Sequence, residues 1–170
     1  MSNQELCAPL VTIIVAVFNG QSTLQRCIDS VTRQAGASVE LIVIDGGSTD
    51  GSVDLIKANL GAIRDWVSES DRGIYHAWNK GLARAKGDWI CFLGADDYLH
   101  DSRVLEELSP HLAAALAQRL TIVYGQVALV NRSGVEVDYL GMPWESAYKR
   151  FMQGSYCLPT PGVMFHRSLF

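Results

Sequence analysis

With 170 residues, 48% of them hydrophobic and 19% charged, the chain is long enough to bury a core of its own as one domain, without disulfide or metal staples. A formal net charge of −4, with Lys and Arg scattered, leaves no basic stripe for a polyphosphate backbone and excludes nucleic acid as a main partner. No apolar run approaches the ~20 residues of a membrane span, and the opening "MSNQELCAPL" lacks the charged and apolar regions of a signal peptide.

Residues 10–18, "LVTIIVAVF", are nearly all apolar and largely β-branched, the pattern of a strand buried on both faces in a parallel sheet. "NGQ" turns the chain, and Ser22 with Gln25 reads as a capping box ahead of a helix that buries Leu24, Cys27, Ile28 and Val31. "VELIVID" predicts a second buried strand. The turn "GGSTDG" follows, then a helix with Val53, Ile56 and Leu60 on one face. "IRDWVSE" reads as a short strand, "SDRG" as a turn, and "IYHAWNKGLARA" as a helix ended by Gly87. In that helix Tyr75, Trp78 and Leu82 are expected in the core.

"WICFL" is the fourth strand. Beyond it "SRVLEEL" predicts one helix, and Ser109 followed by Pro110 predicts the start of another, "PHLAAALAQ". "TIVYGQVALVN", the turn "RSG" and "VEVDYL" form an expected β-hairpin. Strands alternating with helices imply an α/β domain with right-handed crossovers and an open, mainly parallel sheet. Cys7, Cys27, Cys91 and Cys157 are far apart and include no C-x-x-C pair. All four are expected reduced and buried, in a cytoplasmic protein associated with a membrane at most peripherally.

Ligands of open α/β sheets bind beyond the carboxyl ends of the strands. "NGQ", "DGGSTDG" and "GADDYLHD" should share that rim, which draws attention to Asp96 and Asp97. Two adjacent carboxylates against a dry strand repel unless a cation neutralises them. Mg²⁺ or Mn²⁺ suits such oxygen ligands, with phosphate oxygens completing the shell. The competing reading makes Asp97 or Asp101 a helix cap. Likewise "DGGSTDG" reads as a turn capped by Asp50 or Ser48, and it is neither a Walker loop nor G-x-G-x-x-G. Asp71 and Arg72 sit in the turn before a helix, where the acid suits the positive helix end and the Arg could reach an anionic ligand. His76 reads as non-catalytic. Asn79 and Lys80 are polar additions to an apolar helix, and Asn79 is a candidate ligand contact.

Taken in order, "VTIIVAVFNG", "IVIDGGSTDG", "ESDRGIYHAWNKGLARAKGD" and "ICFLGADDYL" resemble the successive motifs of the family 2 glycosyltransferases, especially the branch that builds bacterial surface polysaccharides. The resemblance covers roughly residues 9–140, and "PTPGVMFHRSLF" matches more loosely. It implies a GT-A, Rossmann-like fold and inverting transfer of a sugar from a nucleoside diphosphate donor to a hydroxyl of a saccharide or lipid-linked saccharide acceptor. Phe18, Asn19 and Asp45 would surround the nucleoside, with Asp45 accepting from the base. Asp71 and Arg72 match the next nucleotide-contacting loop, and Asn79 joins the expected donor set. Asp96 and Asp97 fall on the metal motif, with a Mg²⁺ or Mn²⁺ ion bridging one or both to the diphosphate.

The chain departs from many members at Gly94, where they carry an acid, and at Val17, where they carry Thr. The family's general base lies beyond the segment matched by "GVMFHRSLF". It is therefore expected beyond Phe170, with the chain truncated in its acceptor half and no residue of its own assigned as catalytic. Two alternatives remain at this stage. A non-catalytic nucleotide-sugar-binding module would bind without turnover. A nucleotidyltransferase would normally place Lys or Arg in a Gly-rich loop after the first strand, where this chain has "NGQST".

Overall fold

Strand β1 (Val11–Val17) is buried at every position and carries the sheet on both flanks. It pairs in parallel with β2 (Val39–Asp45) and with β4 (Trp89–Gly94), while β3 (Asp65–Ser68) adds in parallel outside β2. Side chains alternate across β1. Ile13, Val15 and Val17 join a core under helices α1 (Gln21–Thr32), α2 (Ser52–Ala58) and α4 (Val104–Ala117); Ile14 and Ala16 join a second core under α3 (Ile74–Leu82). Helices on both faces explain why these strands read as unbroken apolar runs. The computed structural model describes residues 10–170, so Cys7 lies outside the described residues.

The far half of the sheet differs from expectation. Strand β8 (Val163–His166) enters the sheet antiparallel to β4, and β5 (Ile122–Tyr124) pairs antiparallel beyond it, giving the order β3-β2-β1-β4-β8-β5. "TIVYGQVALVN" is therefore two strands. β5 follows the inserted strand until the Gly125 amide donates to the Gly162 carbonyl at 2.9 Å, and the chain then leaves the sheet. Only β6 (Val127–Val130) and β7 (Glu136–Leu140) make the expected hairpin. Helix α5 (Trp144–Met152) then precedes β8.

Three helix boundaries are corrected. Ser22 lies inside α1, whose N-cap Gly20 has no side-chain cap, and the Gln21 amide instead donates to Asp50 Oδ2 at 3.0 Å. The capping box is thus replaced by a cap from a neighbouring loop. "SRVLEEL" and "PHLAAALAQ" are one helix, α4, with Pro110 inside it. Pro110 has no amide to donate to the Glu106 carbonyl, and both residues are exposed. Gly87 does not end α3, which closes at Ala83; a Cβ on Gly87 would lie 2.5 Å from Thr12 Oγ1.

The face of α3 is also shifted. Its buried line is Ala77 and Gly81, with Trp78 and Leu82 half-buried, whereas Tyr75 is exposed. A Cβ on Gly81 would run into Ile14 Cγ2, so the helix sits closer to β1 than any side chain would permit. In α2 Ile56 is buried, but Leu60 lies past the helix end and is exposed. Cys27 and Cys91 are buried free thiols, with burial as the main cause pushing each up to about 12; Cys157, contrary to expectation, is exposed. Among the described residues, no helix is long and apolar enough to cross a membrane.

Candidate functional site

The carboxyl ends of β1, β2 and β4 lie side by side, with Val17 paired to Asp45 and Ala16 paired to Gly94. The loops after β1 and β2 are locked together by polar contacts. Asn19, in the left-handed region at φ 51°, donates its amide to Ser48 Oγ at 2.7 Å and accepts from the Thr49 amide at 2.9 Å. The Gly20 amide donates to Ser52 Oγ, which itself donates to Asp50 Oδ1. Hydrogen bonds led by that from Ser52 hold Asp50 below the usual carboxylate range. The polar density of "DGGSTDG" is thus largely a brace between two loops.

Asp45 is part of the same brace. It is fully buried, and its Oδ2 accepts from the Gly47 and Ser48 amides, each at 3.0 Å, and from Ser68 Oγ at 2.6 Å. Its Oδ2 thus shapes the loop, while Oδ1, also buried, has no hydrogen-bond partner among the described residues. Asn19 likewise spends its side-chain oxygen on the loop. Asn79 is exposed on α3 and is not among the residues that line the adjacent cleft.

That cleft, of about 420 Å³, lies between α3 and the ends of β1 and β2, and is lined by residues that include Ala16, Phe18, Gly46, Asp71 and Ala77. Phe18 is 68% exposed at its rim, an aromatic face free for stacking. Asp71 faces it from the opposite side: a Cβ on Gly46 would lie 3.4 Å from Asp71 Oδ2 and 3.5 Å from the Phe18 ring. Asp71 Oδ1 lies against the Lys80 ammonium, at 2.5 Å from Nζ, with His76 Nδ1 3.1 Å away. Asp71 foremost, and Glu69 Oε1 at 3.0 Å after it, raise the Lys80 pKa. Arg72 is exposed beside this loop, its amide donating to His76 Nδ1. Sequence reasoning missed Lys80, because its partners are chosen by the turn of α3 and not by spacing.

Across the strand end, Asp97 Oδ2 accepts from the Gly94 amide at 2.8 Å, and a Cβ on Gly94 would lie 2.7 Å from Asp96 Oδ1. Both carboxylates therefore flank Gly94. Partners in a parallel pair point to the same face, so Gly94 opens towards the same side as Ala16 in the cleft wall. Burial, and the charge of Asp96, push the Asp97 carboxyl up against the pull of the Gly94 hydrogen bond. A hard divalent cation relieves that strain, and two carboxylates are the protein share that Mg²⁺ commonly takes. The residues present fit such an ion. Among the described residues no group of three or more His, Cys, Asp or Glu side chains is placed to hold a metal.

Phe170 lies outside the cleft lining. Its ring packs edge-on against Phe92 and Phe165, with centroids 6.1 and 6.3 Å apart. Phe92 belongs to the core under α3, so the segment after β8 returns to that face of the sheet, with Phe170 59% exposed over it. The role of Phe170 is therefore packing, since a phenyl ring can neither take nor give a proton.

The profile of "Glycosyl transferase family 2" matches residues 12–170. The chain belongs to the family 2 glycosyltransferases. A "PGL/p-HBAD biosynthesis glycosyltransferase" of Mycobacterium bovis is 35% identical over 127 residues, covering 73% of this chain and 49% of that protein. An "Uncharacterized glycosyltransferase" of Haemophilus influenzae is 29% identical over 150 residues, covering 86% of this chain and 58% of that one. The chain spans about half the length of the curated relatives it matches.

Among solved structures, S. aureus TarS 1-349 in complex with UDP-GlcNAc matches with a TM-score of 0.69 at 19% identity, over 94% of this chain and 46% of that one. Mannosyltransferase PcManGT from Pyrobaculum calidifontis in complex with GDP-Man and Mn²⁺ matches with a TM-score of 0.60 at 21% identity, over 95% and 45%. The family 2 domain described here thus has the GT-A glycosyltransferase fold.

Proposed function

We propose that the chain is the donor-binding domain of an inverting glycosyltransferase. It transfers a sugar from a nucleoside diphosphate to a hydroxyl of a saccharide or lipid-linked saccharide, in cell-surface polysaccharide synthesis at the cytoplasmic side of the membrane. The observation that carries this is the meeting, on one sheet rim, of an aromatic-walled cleft bearing one carboxylate with the Asp96–Asp97 pair at the next strand end. The family to which the chain belongs supports the same reading.

The chemistry assigns a role to each group. Phe18 offers its ring to the base, and Asp71 offers an acceptor oxygen inside the cleft. Asn19 and Asp45 hold the loops that shape the nucleoside pocket, while exposed Arg72 and Asn79 flank it. Asp96 and Asp97 would hold a Mg²⁺ or Mn²⁺ ion, whose charge stabilises the diphosphate as it leaves. In an inverting transfer the acceptor oxygen attacks the anomeric carbon as the bond to the diphosphate breaks, and a base takes the acceptor proton. Glu145 is exposed on α5 and outside the cleft lining, so it is not assigned that role.

Calorimetric titration with UDP, GDP and dTDP, with and without Mn²⁺, tests the reading. At least one should bind, and more tightly with Mn²⁺. Failure of all three to bind in the presence of Mn²⁺ would rule out the donor site.

A further inference from the structure

A second cleft opens on the same rim, at the far edge of the sheet. β5 and β4 are each antiparallel to β8, so they run in one direction, and the carboxyl end of β5, at Tyr124, lies where β1, β2 and β4 also end. Two strand spacings, about 10 Å, separate β5 from β4. As the chain leaves the sheet there, it walls a cavity of about 410 Å³ with Tyr124, Gly125, Gln126, Met142, Pro143 and Trp144.

The aromatic part of this wall is fixed in place. The Tyr124 hydroxyl donates to the Met142 carbonyl at 2.9 Å, which ties the end of β5 to the segment before α5. Trp144, the first residue of α5, packs against Tyr124 with centroids 6.4 Å apart and against Tyr148 at 5.5 Å, yet stays 50% exposed. An indole held by two neighbours and half open is a ready platform for stacking. No lining residue carries a charge, so a phosphate or carboxylate finds no counter-ion in this cleft. Polar partners are nonetheless at hand. The exposed Gln126 side chain both donates and accepts. Burial, with Tyr156 and then Glu145 close by, pushes the Tyr124 hydroxyl up, and the Tyr156 hydroxyl is buried with no hydrogen-bond partner among the described residues.

A neutral sugar ring suits such a wall. Its C–H groups make an apolar face that an aromatic ring covers, and its hydroxyls need donors and acceptors around the edge. We propose that the cleft of Tyr124, Gln126 and Trp144 is a saccharide subsite, which stacks a neutral ring of the acceptor on Trp144 beside the donor. The acceptor role rests on the donor-site reading above, since a diphosphate at Asp96 and Asp97 puts the transferred sugar on the rim that this cleft shares.

Indole N–H signals in NMR test the assignment, because the chain has four tryptophans, Trp66, Trp78, Trp89 and Trp144, of which Trp144 lines this cleft. The full chain is titrated with methyl glycosides of glucose, galactose, mannose, rhamnose and N-acetylglucosamine, with and without UDP or GDP plus Mn²⁺. At least one glycoside should shift the Trp144 indole and the Gln126 amide saturably, leave the Trp78 and Trp89 indoles in place, and still do so with nucleotide bound. Read at the Gln126 amide, Trp144→Ala should weaken that affinity about tenfold or more, and Trp144→Phe should keep it within about threefold. Gln126→Ala, read at the Trp144 indole, should weaken it about fivefold and carries the test if Trp144→Ala does not fold. Unchanged affinity in Trp144→Ala or Gln126→Ala overturns the proposal. So does a glycoside displaced by nucleotide, which would be sitting in the donor cleft, or a Trp144 signal that no glycoside moves. A Trp144 response to phosphatidylglycerol–phosphatidylcholine vesicles but to no glycoside would assign this face to lipid and overturn it equally. Failure of the nucleotides to bind while Trp144 still answers to a glycoside would overturn the donor site alone and leave the saccharide subsite standing.

Discussion

Glu40 offers a separate test of the scaffold, since it lies in the second pair of the β1–β2 ladder, at the end of the sheet away from the cleft. It is 5% exposed, yet accepts from Thr12 Oγ1 at 2.5 Å, from the Lys86 amide and from the Gly87 amide at 3.0 Å, while Oε2 pairs with Arg64 at 2.7 Å. Burial pushes its carboxyl up, but the hydrogen bonds and Arg64 together outweigh burial and hold it below its ordinary 4.5. Glu40→Gln keeps the shape, removes the charge and turns an amide donor towards the guanidinium or the two backbone donors. A loss of about 2–4 kcal/mol at neutral pH is expected. With a urea slope of about 2 kcal/mol/M, the midpoint should fall by about 1–2 M.

The pH dependence has a definite sign. A carboxyl whose folded pKa is depressed contributes stability that is complete above its unfolded value and is lost as pH falls through the folded one. The gap between wild type and Glu40→Gln should therefore be widest above about pH 5 and narrow steadily in more acidic buffer. Urea unfolding followed by circular dichroism from pH 7 to pH 3 would measure it. A gap that stays constant with pH, or a variant as stable as wild type at pH 7, would refute the reasoning.

Other outcomes follow from the same geometry. Gly81→Ala drives a methyl against Ile14 and should cost about 1–3 kcal/mol in urea unfolding, with weaker nucleotide binding because α3 carries the cleft wall. Phe18→Ala should weaken nucleoside diphosphate binding by calorimetry about tenfold, with little change in unfolding midpoint, since the ring is 68% exposed. In a Cys7→Ser background at pH 7, a maleimide should label Cys157 rapidly and leave Cys27 and Cys91 unreacted until the chain is unfolded. Rapid labelling of all three would contradict the buried core.

The first half of the sheet was legible because β1, β2 and β4 are buried on both faces and advertise it as apolar runs. β8 was not, since "VMFH" is too short to stand out and gains its place by pairing with β4, over 70 residues earlier in the chain. In α3 the large side chains suggested a core stripe through Tyr75, yet the closest approach to β1 is made by Gly81, which sequence periodicity does not score as apolar. Among the candidate site residues, strand ends pointed to Asp96 and Asp97, whereas Phe18 and Asp71 entered as nucleotide contacts through the family resemblance. Which way a carboxylate turns depends on distant partners. Ser68 draws Asp45 into the loop and Lys80 holds Asp71 towards the cleft, and no local spacing encodes either choice.

The central claim, that a nucleoside diphosphate and a divalent cation share the rim formed by β1, β2 and β4, is tested most directly by backbone amide NMR of the labelled chain. Mn²⁺ added with the tightest-binding nucleoside diphosphate should broaden the signals of residues 94–98 first. Phe18, Gly46 and Asp71 should follow, while the β6–β7 hairpin is least affected. Asp97→Asn should abolish that pattern. Signals of residues 94–98 that stay sharp in wild type, or broadening centred elsewhere, would contradict the account.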